Sequence, residues 1–175
     1  MKLQRILFGV IASALVLSVV ACGDDDDAEE PTDETEAYFD MAADYESWET
    51  LGDGDLMASG DHGGDFVRTY ANASAMDTIS DEDYPFAAGA LLVKEQYSSE
   101  DDDSPSVLSI MGKESDDDGD WYWMQADTDW EVHGGVQGSD VGMCVDCHAA
   151  AAGTDQVFVE AYGIDMGNGN NGNGE

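Results

Sequence analysis

"ALLVKEQYSSEDDDSPSVLSIMGKESDDDGDWYWMQA" spans residues 90–126, and its pattern decides the fold class of this chain. Three segments rich in aliphatic and aromatic residues, "ALLVKEQY" (90–97), "SVLSIM" (106–111) and "DWYWMQA" (120–126), are separated by "SSEDDDSP" and "ESDDDGD". Such side chains fit a pleated, half-buried surface, and clusters of Asp, Ser, Gly and Pro end it. The pattern predicts three strands joined by solvated hairpin loops. Downstream, "QVFVEAY" (156–162) has the same composition and predicts another strand. Upstream, Asp33 and Glu36 have capping-box spacing. Tyr38, Met41, Tyr45 and Trp48 then recur at helical steps before Gly52 and Gly54. The expected fold class is α+β, a mainly antiparallel β-sheet with a few helices.

Outside this region the sequence changes character. Lys2 and Arg5 precede a mostly apolar run from Ile6 to Val20. That run is shorter than the roughly 20 residues of a membrane-spanning helix. Then comes "VVAC". Residues 1–21 look like a bacterial lipoprotein signal peptide, with Cys22 acylated on its sulfur as the mature N-terminus. The alternative, secretory cleavage near Ala21, would leave an exposed thiol in an oxidising compartment. The expected location is exported and lipid-anchored, at the outer membrane, facing the periplasm or the cell surface. The segment 22–34 predicts an acidic disordered tether, and "GNGNNGNGE" a disordered tail over 167–175. Residues 35–166 remain for one folded domain with a single core.

Beyond residue 21 only Arg68, Lys94 and Lys113 oppose 40 acidic residues, a formal charge of −37. Such a surface repels nucleic acid and anionic headgroups, which excludes nucleic-acid binding. It suits a basic electron-transfer partner or a saline habitat. Lys113, at a strand end beside an acidic loop, reads as a surface charge.

The chemistry concentrates in "GMCVDCHAAAAG" (142–153). Cys144, Cys147 and His148 admit a haem, a metal or a redox disulfide. A structural zinc wants four ligands, usually as two separated pairs. The other histidines are only His62 and His133, and the third cysteine is Cys22. A thioredoxin-like pair requires a βαβ context that is missing here. Haem needs no outside help. Two thiols three positions apart on a helical turn can each add to a haem vinyl group, and the adjacent imidazole becomes the proximal iron ligand. The expected cofactor is haem c, covalent through Cys144 and Cys147, with His148 on the metal. "CHAAAAG" predicts a short helix stopped by Gly153. No sixth ligand stands out. Met166 adjoins the tail, His62 lies in a Gly/Asp loop, and Met111, Met124 and Met143 read more simply as packing residues. An open distal face, and with it ligand binding or catalysis, is the expectation.

The order "DFVRTYANASA", "DYPFAAGALLVKEQY", "VLSIMGKE", "DGDWYWM", "CVDCH" and "DQVFV" resembles the cytochrome P-460 / cytochrome c′-beta family over residues 47–162. The resemblance implies a small, sheet-rich, homodimeric periplasmic protein with one c-type haem and an open distal site. In the P-460 branch a lysine is also bonded to a porphyrin meso carbon, and hydroxylamine is oxidised in the presence of nitric oxide with electrons passing to a partner cytochrome. The c′-beta branch binds nitric oxide or carbon monoxide without that role. An electron-transfer cytochrome with six-coordinate haem is the third alternative.

By its place in "YP…LLVKE", the resemblance makes Lys94 the candidate cross-linking lysine. Strand alternation puts Leu92, Lys94 and Gln96 on one face. A lysine shielded by aliphatic neighbours loses proton affinity and becomes a nucleophile. An edge-strand lysine pointing to water fits the same pattern. The resemblance also places Arg68 near the haem, bridging propionates or donating to an iron-bound N–O ligand. It calls for a distal carboxylate as base, which "QADTDWEVHGG" offers as Asp127, Asp129 or Glu131. Glu131, between Trp130 and Val132, has the most apolar neighbours. The tryptophans of "DWYWM" and "TDW" read as core and pocket wall.

Overall fold

The computed structural model describes residues 30–59 and 66–164. The signal segment, Cys22, most of the tether, His62, Met166 and the Gly/Asn tail lie outside the described residues. Helix α1 (Asp33–Ala42) is capped by Thr32, whose Oγ1 accepts from the Thr35 amide at 3.1 Å. Asp33, Glu34 and Glu36 occupy its first turn, where the helix dipole favours anions. The cap is thus one residue earlier than the capping-box spacing suggests. The helix also stops at Ala42, and Tyr45–Ser47 forms a separate 3-10 turn. Tyr45 and Trp48 still reach the core that α1 covers.

Seven strands follow among the described residues: β1 (Glu49–Thr50), β2 (Met57–Ala58), β3 (Phe66–Ala71), β4 (Leu91–Tyr97), β5 (Val107–Lys113), β6 (Trp121–Ala126) and β7 (Val132–Gly138). They form one sheet in the order β1-β3-β4-β5-β6-β7, with β2 also on β3, and every pairing is antiparallel. Helix α2 (Ala73–Asp81) joins β3 to β4, and α3 (Gly142–His148) follows β7. The α+β expectation holds. The three strands and two acidic hairpin loops read from residues 90–126 are β4, β5, β6 and their connections.

The strand expected over 156–162 is not one. Gln156 has a left-handed φ of +67°, and Val159–Tyr162 is a 3-10 turn. Local turns supply its amide acceptors, the Val157 N–H donating to Thr154 O at 3.1 Å. Composition marks a segment as apolar. It cannot say whether a neighbouring strand has an edge to offer.

Alternation along the central strands creates two apolar faces. On one, Leu91, Val93, Leu108, Ile110, Tyr122 and Met124 pack under Tyr38, Phe39 and Ala42 of α1. Gly112 makes room there, because a Cβ at that position would overlap the Tyr38 ring. On the other face, Leu92, Trp121 and Trp123 pack with Ala75 and Ile79 of α2, Phe86, and Val157 and Val159 of the C-terminal segment. Each buried large side chain contributes about 1.5–3 kcal/mol, so both layers matter to stability. The second layer carries the site.

Candidate haem site

A cavity of about 450 Å³ opens between the second sheet face and α3. Thr69, Leu92, Lys94, Gln96, Ser109, Met111, Trp123 and Gln125 form the sheet wall. Met143, Cys144, Cys147 and His148 come from α3, and Val157, Phe158 and Tyr162 from the segment after it. A hydrogen bond of 2.6 Å between Thr69 Oγ1 and Tyr162 Oη ties sheet to segment.

The motif "CVDCH" forms a single helical turn because nothing in it opposes one. Val141 precedes the helix, and its carbonyl accepts from Cys144 and Val145. Both cysteines are free thiols, Cys144 half-buried and Cys147 exposed, while His148 is buried. A 3-10 stretch, Ala149–Thr154, continues the helix to a left-handed Asp155, two residues past the expected stop at Gly153. The chain then turns back so that Gln156 O lies 2.7 Å from His148 Nδ1. Since a carbonyl only accepts, Nδ1 carries the proton and Nε2 keeps its lone pair. Trp123 and Phe158 flank the ring edge-on at 4.7 and 5.2 Å.

This donor set fits a c-type haem. Two thiols one turn apart and an imidazole with its outer nitrogen already bonded are the groups that could attach such a haem and ligate its iron, against a mostly apolar wall. Among the described residues no cluster of three or more His, Cys, Asp or Glu could hold a metal ion instead. With every strand pairing antiparallel, the sheet also lacks the parallel βαβ setting of a thioredoxin-like pair.

Charge in the cavity comes from Lys94. Burial, and then Cys147, push the Cys144 thiol up, while Lys94 opposes them. Burial pulls the His148 imidazole below its ordinary value. The Gln156 carbonyl works against that, and Lys94 adds to it. A neutral imidazole, the form that ligates metal, is the result. Leu92, Lys94 and Gln96 share the cavity face, as the alternation in "LLVKEQ" implies. Beside Lys94 runs a polar strip, in which Ser109 Oγ accepts from Gln96 Nε2 at 2.5 Å and from Gln125 Nε2 at 3.0 Å.

Two expected members are elsewhere. Arg68 pairs with Glu95 in the β3–β4 register, so it points to the opposite face from Thr69 and Lys94. Its Nε donates to Gly54 O at 2.7 Å, and Nη1 stands 3.6 Å from Glu95 Oε2. The haem-side expectation for Arg68 is corrected by strand parity alone. Glu131 is exposed in the β6–β7 connection, its amide donating to Asp127 Oδ1 at 3.1 Å, and it does not line the cavity. Apolar sequence neighbours do not bury a residue in a turn. Asp127 and Asp129 are in the same turn, and no carboxylate lines the cavity among the described residues. Met143 is 73% exposed on α3 itself, Met124 is core, and Met111 lines the cavity.

Arg68 belongs instead to a buried cluster around Glu95. Tyr45 and Tyr97 donate to its two carboxylate oxygens at 3.0 and 2.9 Å. Burial, and then Glu95, raise both phenols well above the usual 10.0, with Glu95's hydrogen bond ranking ahead of its charge for Tyr97. The unfolded chain releases these protons as pH passes 10, and the folded chain does not. The stability they contribute is therefore complete below pH 10 and lost above it. Urea midpoints measured from about pH 9 to 11 should fall more steeply for the wild type than for Tyr45→Phe. Parallel curves would contradict the assignment.

Lys113 is the residue most misjudged from sequence. It is fully buried, 2.7 Å from an equally buried Asp155 Oδ2, and lies over the Trp121 ring at 5.1 Å. Continuing the β5 alternation from Ser109 and Met111 puts Lys113 on the cavity side of the sheet. That was the available signal. Nothing in the sequence pointed to Asp155 or to the Gln156 carbonyl.

Antiparallel sheet, thiol pair and pre-oriented imidazole define a c-type haem protein. The chain matches the Cytochrome P460 family over residues 42–159, well over half its length. It belongs to that family, and membership implies a covalently bound c-type haem. Comparison with curated proteins finds no match.

Proposed function

We propose that this protein is an exported, lipid-anchored mono-haem cytochrome of the P-460 type that oxidises hydroxylamine, with nitric oxide as co-reactant, and passes electrons to a partner cytochrome. The observation that carries this reading is the position of Lys94, in the wall of the cavity that holds Cys144, Cys147 and His148 and charged toward both Cys144 and His148. When bound, the haem supplies a redox-active iron with an open coordination position. Cys144 and Cys147 would hold it by thioethers, His148 Nε2 would ligate its iron, and Lys94 would be the side chain that bonds the porphyrin. Leu92 and Met111, apolar members of the cavity wall, would limit bulk water at the site. The Gln96–Ser109–Gln125 strip offers the polar contacts that orient a small N–O substrate. A homodimer, and a redox partner of basic surface to meet the −37 charge, complete the proposal.

A second reading rests on one observation. With no carboxylate lining the cavity among the described residues, proton removal from hydroxylamine lacks its usual base, which favours a c′-beta-like binder of nitric oxide or carbon monoxide. Intact mass, optical spectrum and hydroxylamine consumption of the mature holoprotein, beside Lys94→Ala, separate the two. A strongly red-shifted ferrous Soret band that Lys94→Ala abolishes, together with turnover, is the expected result. Ordinary five-coordinate spectra in both proteins, without turnover, would leave the gas-binding reading standing.

A further inference from the structure

How strongly a histidine donates to iron depends on what its other ring nitrogen meets. For His148 that is Gln156 O, and the carbonyl sits in an unusual stretch of backbone. Asp155 and Gln156 are consecutive non-glycine residues with φ of +49° and +67°. L-residues keep this conformation only where their surroundings enforce it.

Asp155 supplies the enforcement. Its Oδ2 accepts from the Phe86 amide at 3.0 Å and faces Lys113 Nζ at 2.7 Å. Its Oδ1 accepts from the Gly119 amide at 2.5 Å, and its carbonyl from Trp121 Nε1 at 2.8 Å. Lys113 Nζ donates in turn to Asp117 O at 2.5 Å. The residue just before the histidine's acceptor is thus clamped to β5, the β5–β6 turn, β6 and Phe86. Buried ion pairs are a weak source of net stability, since apolar replacements of similar volume often do as well. A pair placed one residue from the acceptor has a geometric use.

We propose that the buried Lys113–Asp155 pair positions the proximal histidine, fixing Gln156 O against the Nδ1–H of His148 and so setting the imidazole's donor strength toward haem iron. The inference rests on His148 as axial ligand. A firm Nδ1–H···O bond makes Nε2 more basic and favours ferric over ferrous iron. Loosening the carbonyl weakens that donation.

The test uses mature holoprotein: wild type, the charge-free double variant Lys113→Met/Asp155→Asn, Asp155→Asn alone, and Glu95→Gln as a control that perturbs a buried charge on the far sheet face. Resonance Raman of the ferrous protein and the midpoint potential are read for each. In the double variant the iron–histidine band should move to lower frequency and the potential should rise. Asp155→Asn, if the double variant does not mature, should shift both the same way by less. Glu95→Gln should lower the melting temperature and leave both readouts in place. A wild-type iron–histidine band that stays fixed in both Asp155 variants, while their melting temperature drops, would overturn the inference and reduce the pair to a fold-holding role. A wild type lacking that band, with a potential indifferent to His148→Ala, would overturn the axial assignment and this inference with it.

Discussion

Lys113→Met is expected to destabilise the protein by about 3–5 kcal/mol, the cost of leaving a buried charge without its partner. Asp155 would then face a methyl group with its carboxylate still fully buried. The Phe86 and Gly119 amides remain as donors at 3.0 and 2.5 Å and offset part of that cost. Against a typical domain stability of about 5–15 kcal/mol, the loss is large enough to show as poor maturation at growth temperature. Adding Asp155→Asn should recover most of it by removing the stranded charge. Urea unfolding of the three proteins checks the series. A single-variant loss under about 1 kcal/mol, the size of an exposed ion pair, would mean that water reaches the site.

The fold class was legible because β4, β5 and β6 are bounded by acidic loops that cannot be buried. Their alternation also oriented Leu92, Lys94 and Gln96 correctly. The same parity rule, applied across the β3–β4 register, places Arg68 away from the site, but register is a property of pairing. Strands β3 and β7 escaped notice for different reasons. "FVRTYA" interrupts its apolar residues with Arg68, and "VHGGVQG" has three glycines in seven residues. Each is a strand because a neighbour pairs with it, which tertiary context decides and local propensity does not.

For the site, "CVDCH" was enough to expect two thiols and an imidazole together on one short helix, and the structure brings them to one cavity. The residues that orient them were beyond reach. Gln156 O is a backbone atom with no sequence signature, and Asp155 is one acidic residue among 40. Lys113 was misjudged through its neighbours. The acidic loop beside it suggested solvent, yet Lys113 turns back under that loop to Asp155 and the Asp117 carbonyl. Function in this molecule therefore divides by sheet face. One face carries the cavity, and the other carries the Glu95 cluster that secures the strands from behind.

Complete loss of covalent haem is expected for Cys144→Ala/Cys147→Ala, because without a thioether nothing holds the porphyrin in place for Lys94 to bond it, and the singles should differ from it in kind. Either thiol alone can form one thioether, so each single variant should retain haem mass on the denatured chain. Cys144 is half-buried against the cavity wall, whereas Cys147 is exposed at its mouth. Cys144→Ala should therefore loosen the haem more than Cys147→Ala, with broader Soret bands and lower thermal stability. His148→Gly should keep the covalent haem and lose the axial bond, leaving a gap between Trp123 and Phe158. Added imidazole should enter that gap and restore the ferrous spectrum, without restoring the hydrogen bond that Gln156 O makes to a tethered ring. Denaturing mass spectrometry reads the first set and imidazole titration the second. Haem mass persisting in the double cysteine variant, and disappearing when Lys94→Ala is added, would show that the lysine alone can hold the porphyrin. Persistence in that triple variant as well would mean that the attachment lies outside "CVDCH" and Lys94, and the site would have to be redrawn.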